Sequence, residues 1–364
     1  MSTPSVPGAA RSGRRGSFPP QRPGQPDPVP VDPRRALPPQ APPQTIQTSA
    51  PPARSGAAPT TPPQATPAAP EQDDVSFVRQ IPFGDPPLLR TWHTVSRMFA
   101  STRATRELAD LAAEVQAPVR TGRRIAVTSV HGGAGKSTVA AVLASVFAAR
   151  RADAVLAADA DPYEGSLTWR LSTQAPPSLE RLAPELIAAR GGDLGALKSL
   201  LPRTGTGLWL LPSGAANPNL CTEVTRALSR LFAIAVTDCL STLESAGTAA
   251  AAADAHSVVI CAAATPDGVR ATYRSLRKIA DTGYGAWLSR VLVVLSAGSP
   301  DGRAALREGT TRKLIEQTGV PVVTLPYDRH LAAGALITPS RLGEKTLVEA
   351  TRAAGLALTR ARRR

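Results

Sequence analysis

A glycine-rich loop followed by a lysine and a serine carries the clearest chemistry in this sequence. It reads Val130-His131-Gly132-Gly133-Ala134-Gly135-Lys136-Ser137. Glycines let the backbone wrap closely around phosphate groups, and the N-terminus of a following helix adds positive partial charge. A lysine at this place neutralises the β- and γ-phosphates, and a serine hydroxyl binds magnesium. The stretch from Gly132 to Thr138 therefore predicts a binding site for a nucleoside triphosphate, namely ATP with Mg2+.

Three aspartates supply further chemistry, and each follows an apolar run typical of a buried strand. Asp159 and Asp161 end the run Ala154-Val-Leu-Ala-Ala-Asp159-Ala-Asp161-Pro162, and Asp238 ends the run Phe232-Ala-Ile-Ala-Val-Thr-Asp238. Phosphoryl transfer needs a metal, alignment of the reactants and a residue that orients water, and carboxylates can bind the metal or orient the water. The alternative for Asp159 and Asp161 is an ordinary turn at the end of a strand.

The elements that would position these residues alternate between strand and helix patterns from about Gly122 onward. This alternation predicts an α/β fold in which helices flank a mostly parallel sheet. The predicted strands are Arg124–Val130, Ala154–Ala158, Leu208–Leu211, Ala233–Thr237, Ser257–Ala262, Val291–Ser296 and Pro321–Leu325. The predicted helices include Lys136–Arg151, Leu220–Leu231, Asp267–Asp281, Gly302–Thr318 and Glu344–Arg362.

Together these motifs resemble the MinD/ParA family of deviant Walker A ATPases, over about residues 122–360. The ordinary phosphate loop has a glycine five residues before Gly135, where this chain has Val130. The family pattern is instead Lys-Gly-Gly-Val-Gly-Lys-[Thr/Ser], with His131 at the place of the first lysine. The chain is most similar to MinD-like proteins of actinobacteria, some of which are linked to type VII secretion. The resemblance implies a P-loop NTPase fold.

The resemblance also implies roles for the acidic residues. Ser137 and Asp238 would hold the magnesium ion, and Asp159 would support its ligand shell. Asp161 would position the attacking water, beside Lys136 at the phosphates. The family often has Thr-Pro or Ser-Pro after the last of these strands, whereas this chain has Cys239-Leu240-Ser241, which leaves the geometry of that switch open.

Two further sites follow from the resemblance. In the family the first lysine of the loop crosses a dimer interface to the partner's nucleotide, and His131 is shorter and only partly protonated near neutral pH. Hydrolysis through His131 is therefore an open question. The run Val320–Asp328 resembles the last core strand and the loop that holds adenine, so Pro326 and Tyr327 are candidate base contacts.

The function that the resemblance implies is a switch ATPase. ATP would join two subunits, the homodimer would bind a surface, and slow hydrolysis, stimulated by an unknown activator protein, would release it. A nucleotide-binding regulator with little turnover is the main alternative. A bacterial tyrosine kinase would carry a C-terminal tyrosine cluster, whereas the last tyrosine here is Tyr327. A synthetase of the dethiobiotin type would need a substrate motif, and we find none.

The chain before the phosphate loop divides into two parts. Residues 1–74 hold more than half of the 36 prolines and no run of large apolar residues, so we expect a disordered tail. Residues 75–120 carry apolar residues at helical spacing and predict a basic amphipathic helix or helix pair that ends before Pro118. The spaced residues are Leu88, Trp92, Val95, Phe99, Leu108, Leu111 and Val115. Such a helix could pack on the following domain, residues 121–364, or bind a membrane or partner.

The net charge of +14 lies mostly beyond the tail. A surplus of this size favours contact with DNA or an anionic membrane, although only five of the 42 basic residues are lysines, which also fits a coding bias toward arginine. Two surfaces are candidates. Arg270, Arg274 and Arg277 share a helix face, and the basic C-terminal helix has the stripe Leu347, Thr351, Ala354 and Leu358. A solvated face and a packing helix, respectively, are the alternatives.

Three scattered cysteines, Cys221, Cys239 and Cys261, fit neither a disulfide framework nor a metal site. Cys239 and Cys261 lie in or beside apolar runs, where cysteine behaves as a small core residue. No apolar stretch reaches the ~20 residues that span a bilayer, and the N-terminus lacks the apolar region of a secretory signal. We therefore expect a cytoplasmic protein, peripheral at the inner membrane face or the nucleoid.

Overall fold

A computed structural model of the chain describes residues 81–86, 102–161, 165–172, 177–188, 194–197, 200–214, 217, 219–242 and 246–363. The predicted tail and the residues Leu88, Trp92, Val95 and Phe99 lie outside the described residues.

The centre of the fold is a parallel sheet of seven strands, so the predicted α/β class is confirmed. The strands run in the order β3-β2-β4-β1-β5-β6-β7. Their bounds are β1 Arg123–Ser129, β2 Val155–Asp159, β3 Trp209–Leu211, β4 Ile234–Thr242, β5 Ser257–Ala263, β6 Val291–Ser296 and β7 Val322–Leu325. Each predicted strand is present. Continuous apolar runs identified them because both faces of a parallel sheet are covered.

Helices cover both faces of the sheet. In chain order they are α1 Thr102–Gln116, α2 Lys136–Arg150, α3 Ser166–Leu171, α4 Leu179–Ala188, α5 Leu194–Leu197, α6 Leu220–Ala227, α7 Ala246–Asp254, α8 Pro266–Asp281, α9 Gly285–Leu288, α10 Pro300–Ala304, α11 Glu308–Glu316, α12 Arg329–Ala332 and α13 Glu344–Arg362. Short 3-10 turns occupy Leu228–Arg230 and Pro339–Arg341.

Alternate strand residues build the core on each side of the sheet. Ile125 and Val127 of β1 pack with α2 and α13, whereas Ala126 between them packs with α7 and α8 on the opposite face. A third cluster, around the buried Trp209 of β3, packs with α4 and α6. The three cysteines are all buried, which confirms the core interpretation of Cys239 and Cys261.

Most predicted elements differ from the observed ones by a residue or a few at their ends, and two differ in a way that matters for the fold or the site. The prediction of a single helix at Gly302–Thr318 is wrong, because the structure has two helices there, α10 and α11. The chain turns between them, where Leu306 packs against the core and Arg307 has an extended backbone. The strand predicted to end at Thr237 continues to Thr242, so Asp238 lies inside β4 rather than after it. Beside this aspartate the register between β1 and β4 shifts, between Val127 and Ser129.

The two amphipathic helices of the sequence turn their apolar residues toward the core. In α1, Leu111 and Val115 are buried. In α13, which matches its predicted bounds, Thr351, Ala354 and Leu358 are buried and Leu347 packs against the same cluster. The stripe of α13 is therefore a packing face of the domain. Among the described residues, no helix combines the length and apolar character needed to cross a membrane.

A strap formed by residues 81–86 packs on the segment after β7. Gly84 N donates to Arg341 O at 2.8 Å, and Asp85 Oδ2 accepts from Glu344 N, at the start of α13, at 3.0 Å. The buried His330 of this segment connects it to the strap. Its Nε2 accepts from Thr338 N at 2.9 Å, so the proton lies on Nδ1, which donates to Pro82 O at 2.9 Å.

Candidate functional site

The phosphate loop connects the carboxyl end of β1 to the first residue of α2. Gly133 and Gly135 have positive φ angles of 73° and 81°, which glycine adopts without a steric penalty. Gly135 also lies against the end of β6, because a Cβ there would be 3.3 Å from Ser296 Oγ. Ser129 Oγ donates to His131 O at 2.6 Å and fixes the start of the loop.

The first turn of α2 presents the groups that a phosphate requires. Lys136, Ser137 and Thr138 are its first three residues, and Gly135 caps the helix without a side-chain hydrogen bond. The first N–H groups of the helix are therefore free of a side-chain cap, and they carry the positive end of the helix dipole. Gly132 and Gly133 are exposed and have no atom within 4 Å of an added Cβ, so the loop is open to a ligand.

Asp159 and Asp238 lie side by side next to this turn. The two residues pair in register where β2 meets β4, and both are buried. Burial raises the pKa of Asp159 to about 6 and the pKa of Asp238 to about 7. The Ser137 side chain hydrogen bonds to Asp238, and the charge of Lys136 also lowers the pKa of Asp238. Serine, lysine and the two carboxylates thus form one cluster.

Asp161 and the start of α3 surround Asp159. The Asp161 N–H donates to Asp159 Oδ1 at 3.1 Å, while the backbone N–H groups of Leu167 and Thr168 also stabilise the Asp159 carboxylate. Gly165 contacts this carboxylate so closely that a Cβ there would overlap it. A backbone turn therefore holds Asp161 directly after the buried pair, at the carboxyl edge of the sheet.

The chemistry of this cluster fits a magnesium ion shared with phosphate. Asp159 Oδ2 and Asp238 Oδ1 are buried and accept no hydrogen bond from the described residues, although buried carboxylate oxygens normally have a partner. Within the described chain, no group of three His, Cys, Asp or Glu residues could hold a metal alone. Mg2+ commonly takes one or two protein carboxylates and fills its remaining positions with waters and substrate phosphates.

The other predicted site residues lie at the same edge of the sheet. His131 is exposed, and its ring carries no described hydrogen bond or ion pair. Pro326 is half-buried and Tyr327 is exposed in the loop between β7 and α12. Ala297 N donates to Leu325 O at 3.1 Å, which ties this loop to the end of β6, beside Gly135.

The sequence did not point to Gly165 or Arg170. Gly165 is the N-cap of α3, and Arg170 lies in the last turn of the helix with a mostly buried guanidinium that interacts electrostatically with Asp238. For Gly165, the sequence offered one signal: a glycine four residues after Asp161 is consistent with a close backbone contact to the Asp159 carboxylate. No pattern in the sequence indicated that Arg170 would lie near the aspartates, because α3 was not predicted.

A phosphate loop at the central strand of a parallel sheet defines a P-loop nucleotide-binding domain. The model of the CobQ/CobB/MinD/ParA nucleotide binding domain matches residues 125–335, more than half of the chain. The chain therefore belongs to this family, as the resemblance predicted.

The chain is also similar to two curated relatives and, in its fold, to one solved structure. The ESX-1 secretion-associated protein EspI of Mycobacterium tuberculosis, strains CDC 1551 / Oshkosh and H37Rv, is 30% identical over 238 residues, 63% of this chain. This chain spans only 35% of the length of those relatives. The ParA family ATPase of Chlorobium tepidum TLS has the same fold, with a TM-score of 0.51 and 19% identity over 64% of this chain and 98% of that one.

Proposed function

We propose that this protein is a switch ATPase that binds ATP with Mg2+, hydrolyses it slowly, dimerises in the ATP state and regulates a partner assembly. The observation that carries the proposal is the cluster of Ser137, Asp159 and Asp238 beside the phosphate loop, with two buried carboxylate oxygens that lack a partner. A magnesium nucleotide would supply the missing partner for both.

The proposal gives each site residue a role. Lys136 and the N–H groups at the start of α2 bind and orient the phosphates. Ser137 and Asp238 would hold magnesium, which neutralises developing charge on the phosphates, and Asp159 would support that shell. Asp161 accepts a hydrogen bond from the attacking water and aligns it. Pro326 and Tyr327 contact the base.

The partner assembly that we propose is a secretion apparatus. This proposal is supported by the name of the curated relative, an ESX-1 secretion-associated protein that matches 238 residues of this chain. An activator protein and the ATP-dependent homodimer complete the proposed cycle. The exposed Arg270, Arg274 and Arg277 of α8 are the surface that we propose for contact with DNA or anionic lipid at the inner membrane face.

Turnover and assembly state, measured together, test this function. We expect wild type to release phosphate from ATP slowly and to form a dimer with ATP but not with ADP in sedimentation experiments. Asp161→Ala should bind ATP normally, lose turnover and accumulate as the dimer, while Lys136→Ala should fail in all three assays. A monomeric Asp161→Ala variant that is saturated with ATP would contradict the dimer model.

A second candidate, a nucleotide-binding regulator without turnover, is favoured by one observation. His131 stands where the family has its interface lysine, and its exposed ring has no described contact that would hold it toward a nucleotide. If wild type binds ATP but shows no turnover with or without DNA, liposomes of anionic lipid or partner protein, the regulator is the correct function. A His131→Lys variant that gains turnover would identify the histidine as the cause.

A further inference from the structure

Arg170 has an unusual environment for a half-buried arginine. It lies in the last turn of α3, and its backbone carbonyl accepts from Ile337 N at 2.7 Å, which fixes this end of the helix. Its Nε and Nη1 atoms are buried and donate no hydrogen bond within the described residues. Arg123 and Arg124 also have a buried Nε, but Arg123 Nη1 donates to Thr121 Oγ1 at 2.5 Å, and Arg124 forms an ion pair with Asp254, with Nε 2.7 Å from Oδ2. Arg170 has no comparable contact.

The guanidinium of Arg170 lies near Asp238. Burial lowers the pKa of Arg170, while the Asp238 carboxylate acts in the opposite direction, so the two charges interact. They nevertheless form no ion pair in the described structure, although Asp238 Oδ1 lacks a hydrogen-bond partner as well. A guanidinium with two buried, unpaired nitrogens and a buried carboxylate with one unpaired oxygen thus interact electrostatically without forming an ion pair.

A single ligand could pair with both the guanidinium of Arg170 and the free oxygen of Asp238. A buried arginine without acceptors is costly, because its N–H groups lose their hydration and gain nothing in return. A carboxylate without donors suits a metal ion, and a planar guanidinium suits the oxygens of a phosphate, which it can bind through two N–H groups. A magnesium phosphate presents the cation and the oxygens side by side.

The position of α3 supports phosphate as the ligand. The helix starts at Gly165 against the carboxylate of Asp159, and its first N–H groups stabilise that carboxylate. Asp238, near its other end, is hydrogen-bonded to Ser137 in the first turn of α2. Through Asp238, Arg170 is therefore linked to the same cluster as the phosphate loop.

We propose that Arg170 binds the phosphates of the nucleotide in the same subunit and adds a second positively charged side chain, besides Lys136, to the phosphate site. This inference rests on the proposed function, because it assumes that a nucleotide occupies the loop. It adds a residue from α3 that the family motifs in the sequence do not include.

Substitutions of Arg170 test the proposal, with Arg181→Gln on the exposed surface of α4 as the control for loss of a positive charge. We expect Arg170→Met to bind Mg-ATP about 10-fold to 100-fold more weakly, as loss of charged hydrogen bonds predicts. The affinity of Arg170→Lys for Mg-ATP should lie between those of wild type and Arg170→Met, because lysine keeps the charge but lacks the planar, two-pronged guanidinium. Arg181→Gln should bind as wild type.

Thermal melting separates a phosphate contact from a structural role. Removal of an unpaired buried charge should leave the melting temperature of nucleotide-free Arg170→Met unchanged or higher, while the increase on adding Mg-ATP becomes smaller. A lower melting temperature with an unchanged nucleotide increment, or wild-type affinity in Arg170→Met, would overturn the inference.

The same binding measurements distinguish an error in the proposed function from an error in the assignment of Arg170. If neither wild type nor Arg181→Gln binds Mg-ATP, the function itself is wrong. If both bind, Lys136→Ala does not, and Arg170→Met binds as wild type, then only the assignment of Arg170 is wrong.

Discussion

Gly165 provides the sharpest structural test, because its backbone conformation allows a side chain but its surroundings do not. Its φ and ψ angles are −64° and 132°, which any residue adopts. A Cβ at this position would nevertheless meet Oδ1, Oδ2 and Cγ of Asp159 at separations well below the 3.0 Å that real Cβ atoms keep. The Asp159 side chain is buried and its Oδ1 accepts a hydrogen bond from Asp161 N, so the carboxylate has little freedom to move.

Gly165→Ala should therefore displace α3 or the carboxylate. Overpacking of this kind costs about 1–3 kcal/mol of folding free energy. For a domain of this size the melting temperature should fall by roughly 2–4 °C per kcal/mol. Because the displaced groups surround the proposed magnesium site, the stabilisation by Mg-ADP should also become smaller than in wild type.

Gly309→Ala is the matched control, since Gly309 lies in α11 with nothing within 4 Å of an added Cβ. That change should stabilise the protein by roughly 0.5–1 kcal/mol through helix propensity. Both variants would be followed by thermal melting with and without Mg-ADP. A Gly165→Ala protein that melts and responds to Mg-ADP like wild type would refute the packing argument.

Three further predictions concern pH and the strap. Burial lowers the pKa of His330 from 6.5, so the unfolded chain takes up a proton that the native state resists, and stability is lost as pH falls below about 6.5. The slope should reach at most about 1.4 kcal/mol per pH unit, and it should flatten in His330→Gln when urea unfolding is followed at each pH. The raised pKa values of Asp159 and Asp238 have the opposite sign: their contribution to stability is present below pH 3.8 and is lost as pH rises through about 6 and 7. Because magnesium needs the ionised carboxylates, calorimetry should show weaker Mg-ADP binding at pH 6 than at pH 8, and ADP with a chelator should show a smaller difference. Asp85→Ala removes the acceptor for Glu344 N, so the unfolding free energy should fall by about 0.5–2 kcal/mol, and an unchanged urea midpoint would contradict this capping role.

The sequence predicted the sheet well because each strand carries its own local signal. Val291–Ser296 was predicted with its observed bounds, since a run of apolar β-branched residues between polar segments is typical of a strand covered on both faces. The order of motifs also placed Lys136, Asp159 and Asp238 at one edge, because parallel strands share their carboxyl ends. Their hydrogen bonds and burial required the structure.

Features that depend on distant residues were not predictable in this way. The break between α10 and α11 follows from the packing of Leu306, which overrides a helix pattern that continues through it. The strap reaches segments some 250 residues away, such as Arg341, and no local pattern indicates that contact. Arg170 falls in the same class, because its role depends on the position of α3 beside Asp238.

The central claim is that Mg-ATP binds at the loop from Val130 to Ser137, and isothermal titration of wild type and Lys136→Ala tests it most directly. Wild type should bind one Mg-ATP per subunit, and Lys136→Ala should lose most of that affinity while melting normally without nucleotide, because Lys136 contributes to the site and not to the core. Equal binding by a folded Lys136→Ala protein, or no binding by wild type, would contradict the claim.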